Sequence, residues 1–456
     1  MTDFAGPAII MLAIIGAIGV LMAIAWARRI GSPWNVPSGL LVMFVIVVPV
    51  SGIVHLMRIP GGTRGFYDVL SHSQPEMGSN LTSAILISLG SLVSIWVGSM
   101  LVTAARAGTT KPVFKAARST AQKWVIAGVT MLPVCYLALV QVQALRSVID
   151  STRVWGFDGG NARLVFLASW LPWAITFLAL AAANTARSPL LLLAIGAAGI
   201  YLIYIATDWS GGRSLILLFA FPLVAWLFPR LGRLRLVALV GTGAAIIWAL
   251  VAGTLERTAT FAVQEVNLPG IIDWEWGRFS MSAFASGYVD ANGILFGESY
   301  LAAVLQVPTA ILNVLGADIE VGLRSISQIT SSSLLGSETL NYTVPGAIAE
   351  AYMNLGIVGV IGAMLFLGAA ATWLDRLART TSSASVQVLA SYFIAILLFR
   401  ALVAESVSLF TYAAFTGLPL IVMAALDRSK TRPSATGTLH LRLPASSPRE
   451  SSRSFA

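Results

Sequence analysis

Residues 8–26 read AIIMLAIIGAIGVLMAIAW, a run without a charged side chain, and Arg28 and Arg29 follow it closely. An apolar stretch of about 20 residues is long enough for a helix that crosses a lipid bilayer. The basic pair follows the run instead of preceding it, and Asp3 stands before it, which is unlike a cleaved signal peptide. The stretch therefore predicts a first transmembrane helix with its N-terminus on the outer side of the membrane.

The same apolar pattern recurs along the whole chain. The 456-residue sequence is 57% hydrophobic and 11% charged, whereas a soluble domain is typically about 25% charged. We therefore predict an all-α polytopic membrane protein whose transmembrane domain covers residues 1–426. Its apolar runs predict about eleven spans of the length that a bilayer requires, at residues 8–26, 38–57, 80–104, 124–142, 164–184, 189–206, 214–228, 235–252, 346–371, 386–403 and 406–426.

Basic residues are concentrated in every second connection between the predicted spans. The positive-inside rule places these connections in the cytoplasm, so the N-terminus is outside and the C-terminus inside. The tail at residues 427–456 is basic and rich in Ser and Pro, and we predict that it is cytoplasmic and disordered. The basic residues of the cytoplasmic connections are Arg28, Arg29, Arg106, Lys111, Lys115, Arg118, Lys123, Arg187, Arg230, Arg233, Arg235, Arg376 and Arg379.

The segment at residues 299–316, SYLAAVLQVPTAILNVLG, has two interpretations. It is apolar enough to be a twelfth span, which would reverse the orientation of everything after it. It also contains Gln306 and Pro308, so we predict a helix that lies at the outer interface. One large outer loop, residues 253–345, then connects spans 8 and 9.

The predicted outer segments carry arginines but no lysine: Arg58, Arg64, Arg146, Arg153, Arg163, Arg213, Arg257, Arg278, Arg324 and Arg400. The positive-inside rule opposes outer arginines, so their presence needs a reason. They could be ion-pair partners for the outer acids. Alternatively they could bind an anionic headgroup, because the planar guanidinium matches phosphate oxygens.

Three outer segments contain candidate functional groups. In TDWSGGRS, residues 207–214, Arg213 follows two glycines at a span start, which suits a phosphate but also occurs at ordinary span starts. The outer loop contains Asp273-Trp274-Glu275-Trp276, which is typical of a sugar site or of an interfacial anchor. In the segment 345–359, Glu350 and Asn354 share one helix face, and Gly356 and Gly359 would permit close helix packing.

Glu350 could pair with a nearby arginine, or it could line a water-filled cavity, because a carboxylate inside a span is otherwise costly. Arg400 and Glu405 flank the tight final hairpin, where they could pair or Arg400 could join an anion site. The sequence offers no metal motif, since it has a single cysteine, Cys135, and three scattered histidines. Its net charge of +9 is explained by sidedness in the membrane and does not indicate a nucleic-acid partner.

The stretch GAIAEAYMNLGIVGVIGAMLFLGAAATWLDR, residues 346–376, resembles the C-terminal signature of bacterial O-antigen polymerases of the Wzy type, also called oligosaccharide repeat-unit polymerases. The segments GGRSLILLF, residues 211–219, and FGESYL, residues 296–301, are similar to other parts of that family. Related lipid-linked glycan ligases often carry a His in the large outer loop. This chain has none there, which favours a polymerase over a ligase.

The resemblance implies a glycosyltransferase of the bacterial cytoplasmic membrane that acts on polyprenyl-diphosphate-linked oligosaccharides at the outer side. It implies Arg213, Arg278, Arg324 and Arg400 as candidates for diphosphate binding. Glu350 and Glu298 are implied as catalytic bases, with Asn354 and Tyr352 as further substrate-binding residues. No metal or cofactor is implied, and flippase and chain-length regulator proteins are implied as partners.

Two alternatives stay open at this point. A ligase would use the same donor site and move a finished glycan to a different acceptor. A lipid or glycan transporter would need charged or broken helices near mid-span, and the apolar runs indicate neither. A purely structural membrane scaffold would leave the outer arginines unexplained.

Overall fold

The computed structural model of the protein describes residues 2–32, 35–58, 80–102, 104, 116–148, 162–208, 213–238, 240–241, 277–317, 319, 321–335 and 344–428. Every regular element within these residues is helical, which confirms the all-α prediction. Trp274, Trp276 and nearly all of the tail at 427–456 lie outside the described residues.

The helices are α1 (Thr2–Ile30), α2 (Val36–Val45), α3 (Ser51–Arg58), α4 (Leu81–Leu101), α5 (Arg118–Val148), α6 (Ala162–Ala168), α7 (Leu171–Thr185), α8 (Pro189–Asp208), α9 (Arg213–Leu227), α10 (Phe279–Asn292), α11 (Glu298–Leu315), α12 (Ile326–Leu335), α13 (Gly346–Thr380), α14 (Ala384–Phe399), α15 (Ser406–Thr411) and α16 (Leu418–Arg428). A short π-helix, Ile46–Val50, joins α2 to α3, and a second one, Tyr412–Thr416, follows α15. Two 3₁₀-helices, Phe228–Arg230 and Gly232–Leu234, follow α9.

The described residues contain eight helices that are long and apolar enough to cross a membrane, so the protein is a multi-pass membrane protein. They are Gly6–Ile30, Val36–Met57, Leu81–Leu101, Arg118–Ala144, Arg163–Thr185, Pro189–Thr207, Glu298–Leu315 and Gly346–Thr380. Ser406–Thr416 and Leu418–Asp427 form a further, broken span with a bend of 45°. Two shorter apolar helices, Ile216–Arg230 and Ala384–Phe399, coincide with predicted spans, and the predicted span at 235–252 lies mostly outside the described residues.

Segments that the charge pattern assigns to the cytoplasm contact one another. The backbone N–H of Val36, just after α1, donates to Asp375 near the end of α13, at 3.2 Å. Asp427, at the end of the last span, accepts hydrogen bonds from Thr120 at 2.8 Å and Ser383 at 2.9 Å. These contacts join α2 to α13, and α5 and the start of α14 to α16, among segments that were predicted to be cytoplasmic.

Helices α4 and α13 approach each other closely through two glycines. A Cβ atom on Gly98 would collide with the carbonyl oxygen of Leu365, and one on Gly368 would collide with that of Ile95. Beside them, Thr372 Oγ1 donates to the carbonyl of Ser99 at 2.9 Å. Small residues permit such backbone approach between membrane helices, and this contact fixes α13, whose outer part carries the candidate site.

Helix α13 is bent directly after Asn354. Leu355 and Gly356 have non-helical backbone angles, and Gly356 adopts φ 62° and ψ −150°, a region that essentially only glycine occupies. A Cβ atom on Gly359 would collide with the carbonyl of Ala351, so the segment 346–354 folds tightly against the helix that follows. The two glycines that were predicted to pack helices together instead permit a bend within one helix.

Helix α11 contains the segment 299–316, which the sequence analysis interpreted either as an interfacial helix or as a twelfth span. Near its first turn Ser299 contacts Glu350, and near its end the carbonyl of Val314 accepts from Arg163 Nε at 2.6 Å. Glu350 and Arg163 both belong to predicted outer segments. Both ends of α11 contact predicted outer segments, and α11 is also among the helices that are long and apolar enough to cross a membrane, so both interpretations stay open.

The last span is broken by the π-helix Tyr412–Thr416, and side chains of other spans satisfy the carbonyls there. Tyr392 donates to the carbonyl of Tyr412 at 2.8 Å, Trp170 donates to that of Phe415 at 2.9 Å, and Trp173 donates to that of Thr416. Backbone freed within a membrane must find such partners. The prediction that no span is broken was wrong, because local apolar runs do not reveal a bend that distant side chains stabilise.

Candidate functional site

Glu350 is the centre of a buried hydrogen-bond network at the end of the helices that was predicted to lie outside. Its side chain is 1% exposed. One carboxylate oxygen accepts from Ser299 Oγ at 2.8 Å and from Ser406 Oγ at 2.5 Å, and the other accepts from the backbone N–H of Ser406 at 2.7 Å. A single carboxylate thus joins the starts of α11 and α15 to α13.

Asn354 extends this network by one helical turn. Its side-chain NH₂ donates to Ser299 Oγ and to the carbonyl of Glu350, both at 2.8 Å. The bend after Asn354 frees the carbonyl of Met353, which accepts from the backbone N–H of Leu295 at 2.8 Å. Glu350 and Asn354 lie on one face of α13, as their spacing predicts, and the bend ties this face to the loop before α11.

The turn between α14 and α15 collects further charged groups. Arg278 Nε donates to the carbonyl of Val403 at 3.1 Å, and the Arg400 guanidinium lies 4.6 Å from the centre of the Tyr412 ring. Glu405 accepts from the backbone N–H of Ser327 at 3.0 Å. Burial raises the pKa of Glu405, whereas the hydrogen bonds from Ser327 and the charge of Arg400 oppose that rise. The sequence interpretation in which Arg400 pairs with Glu405 and the one in which it joins an anion site both stay predictions.

Glu298 and Arg324 form the accessible part of the site. Arg324 Nε lies 3.7 Å from a carboxylate oxygen of Glu298, and the two side chains are 48% and 29% exposed, respectively. Glu298 directly precedes Ser299, so the buried network also fixes the position of this exposed carboxylate. Of the two predicted bases, Glu298 is open to an incoming molecule, whereas protein donors occupy both oxygens of Glu350.

The other predicted site residues are less closely connected to this cluster. Tyr352 is half-buried and packs against apolar clusters formed by α10, α12 and α13. The backbone of Arg213 begins α9, but its side chain lies outside the described part of the structure. Within the described residues, no three His, Cys, Asp or Glu side chains are grouped to hold a metal ion.

The serines of the network were missed from the sequence. Ser299, Ser327 and Ser406 donate to the buried carboxylates, yet each is an ordinary serine without a motif around it. The sequence offered one indication for two of them, since Ser299 directly follows Glu298 and Ser406 directly follows Glu405. Only the fold reveals that Ser299 and Ser406 face Glu350 and that Ser327 faces Glu405.

Comparison with known proteins does not identify a family: no family model, no curated protein and no solved structure matches the chain. The chemistry of the site is therefore argued from its own residues.

Proposed function

We propose that the protein is a membrane glycosyltransferase that polymerises polyprenyl-diphosphate-linked oligosaccharide repeat units on the outer side of the bacterial cytoplasmic membrane. The observation that carries the proposal is that Arg278 and Glu350 both contact the turn 400–406, which also contains Arg400, while Glu350 holds Ser299 next to the Glu298–Arg324 pair. These residues come from separate segments of the chain. They lie at the predicted outer end of the helices, opposite to the contacts of Asp375 and Asp427.

The arginines suit a diphosphate leaving group. Breaking the bond between the anomeric carbon and the diphosphate leaves negative charge on the phosphate oxygens, and fixed guanidinium groups stabilise such charge. Arg278 and Arg400 are held at the turn before α15, and Arg324 is held beside Glu298. Arg213 stays a candidate for the same role. The exposed apolar faces of the spans are suited to a polyprenyl chain.

The acceptor requires a base, and we assign that role to Glu298. Its carboxylate takes the proton of an acceptor hydroxyl while that oxygen bonds to the anomeric carbon of the donor. The bond from that carbon to the diphosphate breaks, and its electron pair leaves with polyprenyl diphosphate. Glu350 holds Ser299 and thereby the neighbouring Glu298, so its role in this proposal is positioning.

The test is a reconstitution of the purified protein in liposomes with a polyprenyl-diphosphate oligosaccharide from its host and with EDTA present. A ladder of repeat lengths, together with released polyprenyl diphosphate, is the expected result. Arg278→Gln and Arg213→Ala should each slow the ladder by about tenfold or more, as expected when a charge-stabilising group is removed. A single transfer to a different acceptor would indicate a ligase instead. A verified native donor that gives no transfer would contradict the proposal.

A transporter of lipids or lipid-linked glycans is the second candidate, because two spans are broken. Transporters use discontinuous helices near their substrate sites, and both α13 and the last span are interrupted. The distinguishing assay follows a fluorescent lipid-linked oligosaccharide across the liposome membrane. Protein-dependent translocation without a new glycosidic bond would favour the transporter over the enzyme.

A further inference from the structure

Phe296 has an unusual backbone conformation and an unusual exposure. Its φ is 50°, and it is the one non-glycine residue with positive φ in the described part of the chain. Its side chain is 82% exposed. A bulky residue in this region of backbone space is an outlier, and such strain tends to occur where a side chain has a functional task.

The surrounding loop holds Phe296 in this conformation. The backbone N–H of Glu298 donates to the carbonyl of Leu295 at 3.1 Å, so residues 295–298 form a tight turn. Gly297 has φ 89°, and two positive φ values in succession characterise a mirror-image turn that normally uses Asn, Asp or Gly. The backbone N–H of Leu295 is bonded to the carbonyl of Met353, which ties the turn to the bend in α13.

Polar groups flank the exposed ring along the chain. Asp290 and Asn292 are exposed at the end of α10, before the turn. Glu298, two residues after Phe296, lies beside Arg324. An exposed aromatic ring with carboxylate, amide and guanidinium groups close to it in the chain suits a sugar, because the ring accepts the apolar face of a pyranose and the polar groups accept from or donate to its hydroxyls.

We propose that Phe296 is a stacking platform for a sugar ring of the acceptor glycan, placed so that a hydroxyl of that sugar reaches Glu298. This inference rests on the proposed function for the identity of the glycan as a substrate. It adds a binding subsite, formed by Phe296, that the charged cluster alone does not provide.

The same surroundings argue against a membrane anchor at Phe296. The apolar exposed residues of α11 begin only at Leu301 and continue through Val304, Leu305, Ile311, Leu312 and Leu315. The ring instead follows Asp290 and precedes Glu298 in the chain, and carboxylates so near it disfavour insertion of this turn into the apolar part of a bilayer.

The test compares Phe296→Asn, which suits a positive φ, with Phe296→Tyr, which keeps the ring. The probe is the oligosaccharide repeat unit hydrolysed from the host's lipid-linked precursor and added at millimolar concentration to protein in nanodiscs. We expect this probe to raise the Tm of the wild type and of Phe296→Tyr but not that of Phe296→Asn. Without the probe, Phe296→Asn should unfold at the wild-type temperature or above it, because the strain is relieved. In the polymerisation assay its apparent KM should rise about tenfold with kcat little changed.

Phe366→Ala is the matched control, because Phe366 is also exposed, at 70%, but lies within the spanning part of α13. It should keep the Tm shift caused by the oligosaccharide. The proposal is wrong if Phe296→Asn keeps that shift, or if the wild type shows none. An anchor would instead show itself as a lower Tm of Phe296→Asn in nanodiscs but not in detergent, with the oligosaccharide shift intact.

The results separate this inference from the proposed function. If the wild type and Phe296→Asn produce the same ladder, the platform at Phe296 is wrong and the polymerase proposal stands. The wild type could instead give no ladder but show a Tm shift with the oligosaccharide that Phe296→Asn loses. In that case Phe296 binds glycan, and the polymerase proposal is wrong.

Discussion

Glu350 is a single residue that connects three separate segments at the predicted outer end. It accepts from Ser299 at the start of α11 and twice from Ser406 at the start of α15. A buried donor that loses its acceptor lowers the stability of the fold by about 1–3 kcal/mol. The Glu350 carboxylate therefore contributes to stability mainly by accepting these hydrogen bonds.

Replacement of Glu350 should therefore act through stability and through Glu298. We expect Glu350→Ala to lower the stability of the protein by about 1–3 kcal/mol for each donor left unpaired. Glu350→Gln should cost less, because its amide oxygen still accepts. Thermal unfolding in nanodiscs measures both, and a Glu350→Ala protein as stable as the wild type would contradict the anchoring role.

Glu405 gives a prediction about pH. Burial raises the pKa of Glu405 above its ordinary value of 4.5, so the folded protein holds this proton more tightly than the unfolded chain does. Stability from this group is therefore lost as the pH rises above the ordinary carboxyl range.

Glu405→Gln removes this titration and keeps an oxygen that can accept from the N–H of Ser327. We expect its Tm to match the wild type at low pH and to exceed it at neutral pH. Tm measured across this range checks the difference between the two proteins, and a variant that is less stable than the wild type at neutral pH would contradict the assignment.

Among the helices, the bend in α13 is the element that forms the site. Gly356→Ala should destabilise the protein by about 1–3 kcal/mol, because alanine does not tolerate its φ and ψ. Gly362→Ala is the matched control, since a Cβ there has open space and an ordinary helical backbone, and we expect it to be neutral or slightly stabilising. Equal Tm values for the two variants would contradict the claim that the backbone conformation of Gly356 stabilises the protein.

The spans could be predicted from the length of the apolar runs. Long apolar runs located α1, α4, α8 and α13 closely, because length and hydrophobicity decide whether a helix can span a bilayer. The breaks after Asn354 and at Tyr412–Thr416 were not predicted, because they depend on Leu295, Trp170, Tyr392 and other partners far away in the sequence. The acids and arginines of the site could be named from their predicted side, whereas the serines between them could not.

For the whole molecule, sidedness can be tested with single cysteines. Cys135 is buried and can be replaced by Ala. In that background, Asn292→Cys and Ser382→Cys place exposed thiols in a predicted outer and a predicted cytoplasmic segment. A membrane-impermeant maleimide should label Asn292→Cys in intact cells and Ser382→Cys only after permeabilisation. Labelling of both in intact cells would mean that α11 crosses the membrane.

The central claim is that an exposed carboxylate, held at the outer end by a buried network, performs glycan transfer. Glu298→Gln tests it most directly, with the single-turnover rate of the reconstituted protein measured at saturating lipid-linked substrate. We predict a loss of about 10²-fold or more, the usual contribution of a general base, with an unchanged Tm. Glu320→Gln, which removes another acid of the same predicted outer loop, should retain the wild-type rate. A Glu298→Gln protein that transfers glycan as fast as the wild type would contradict the claim.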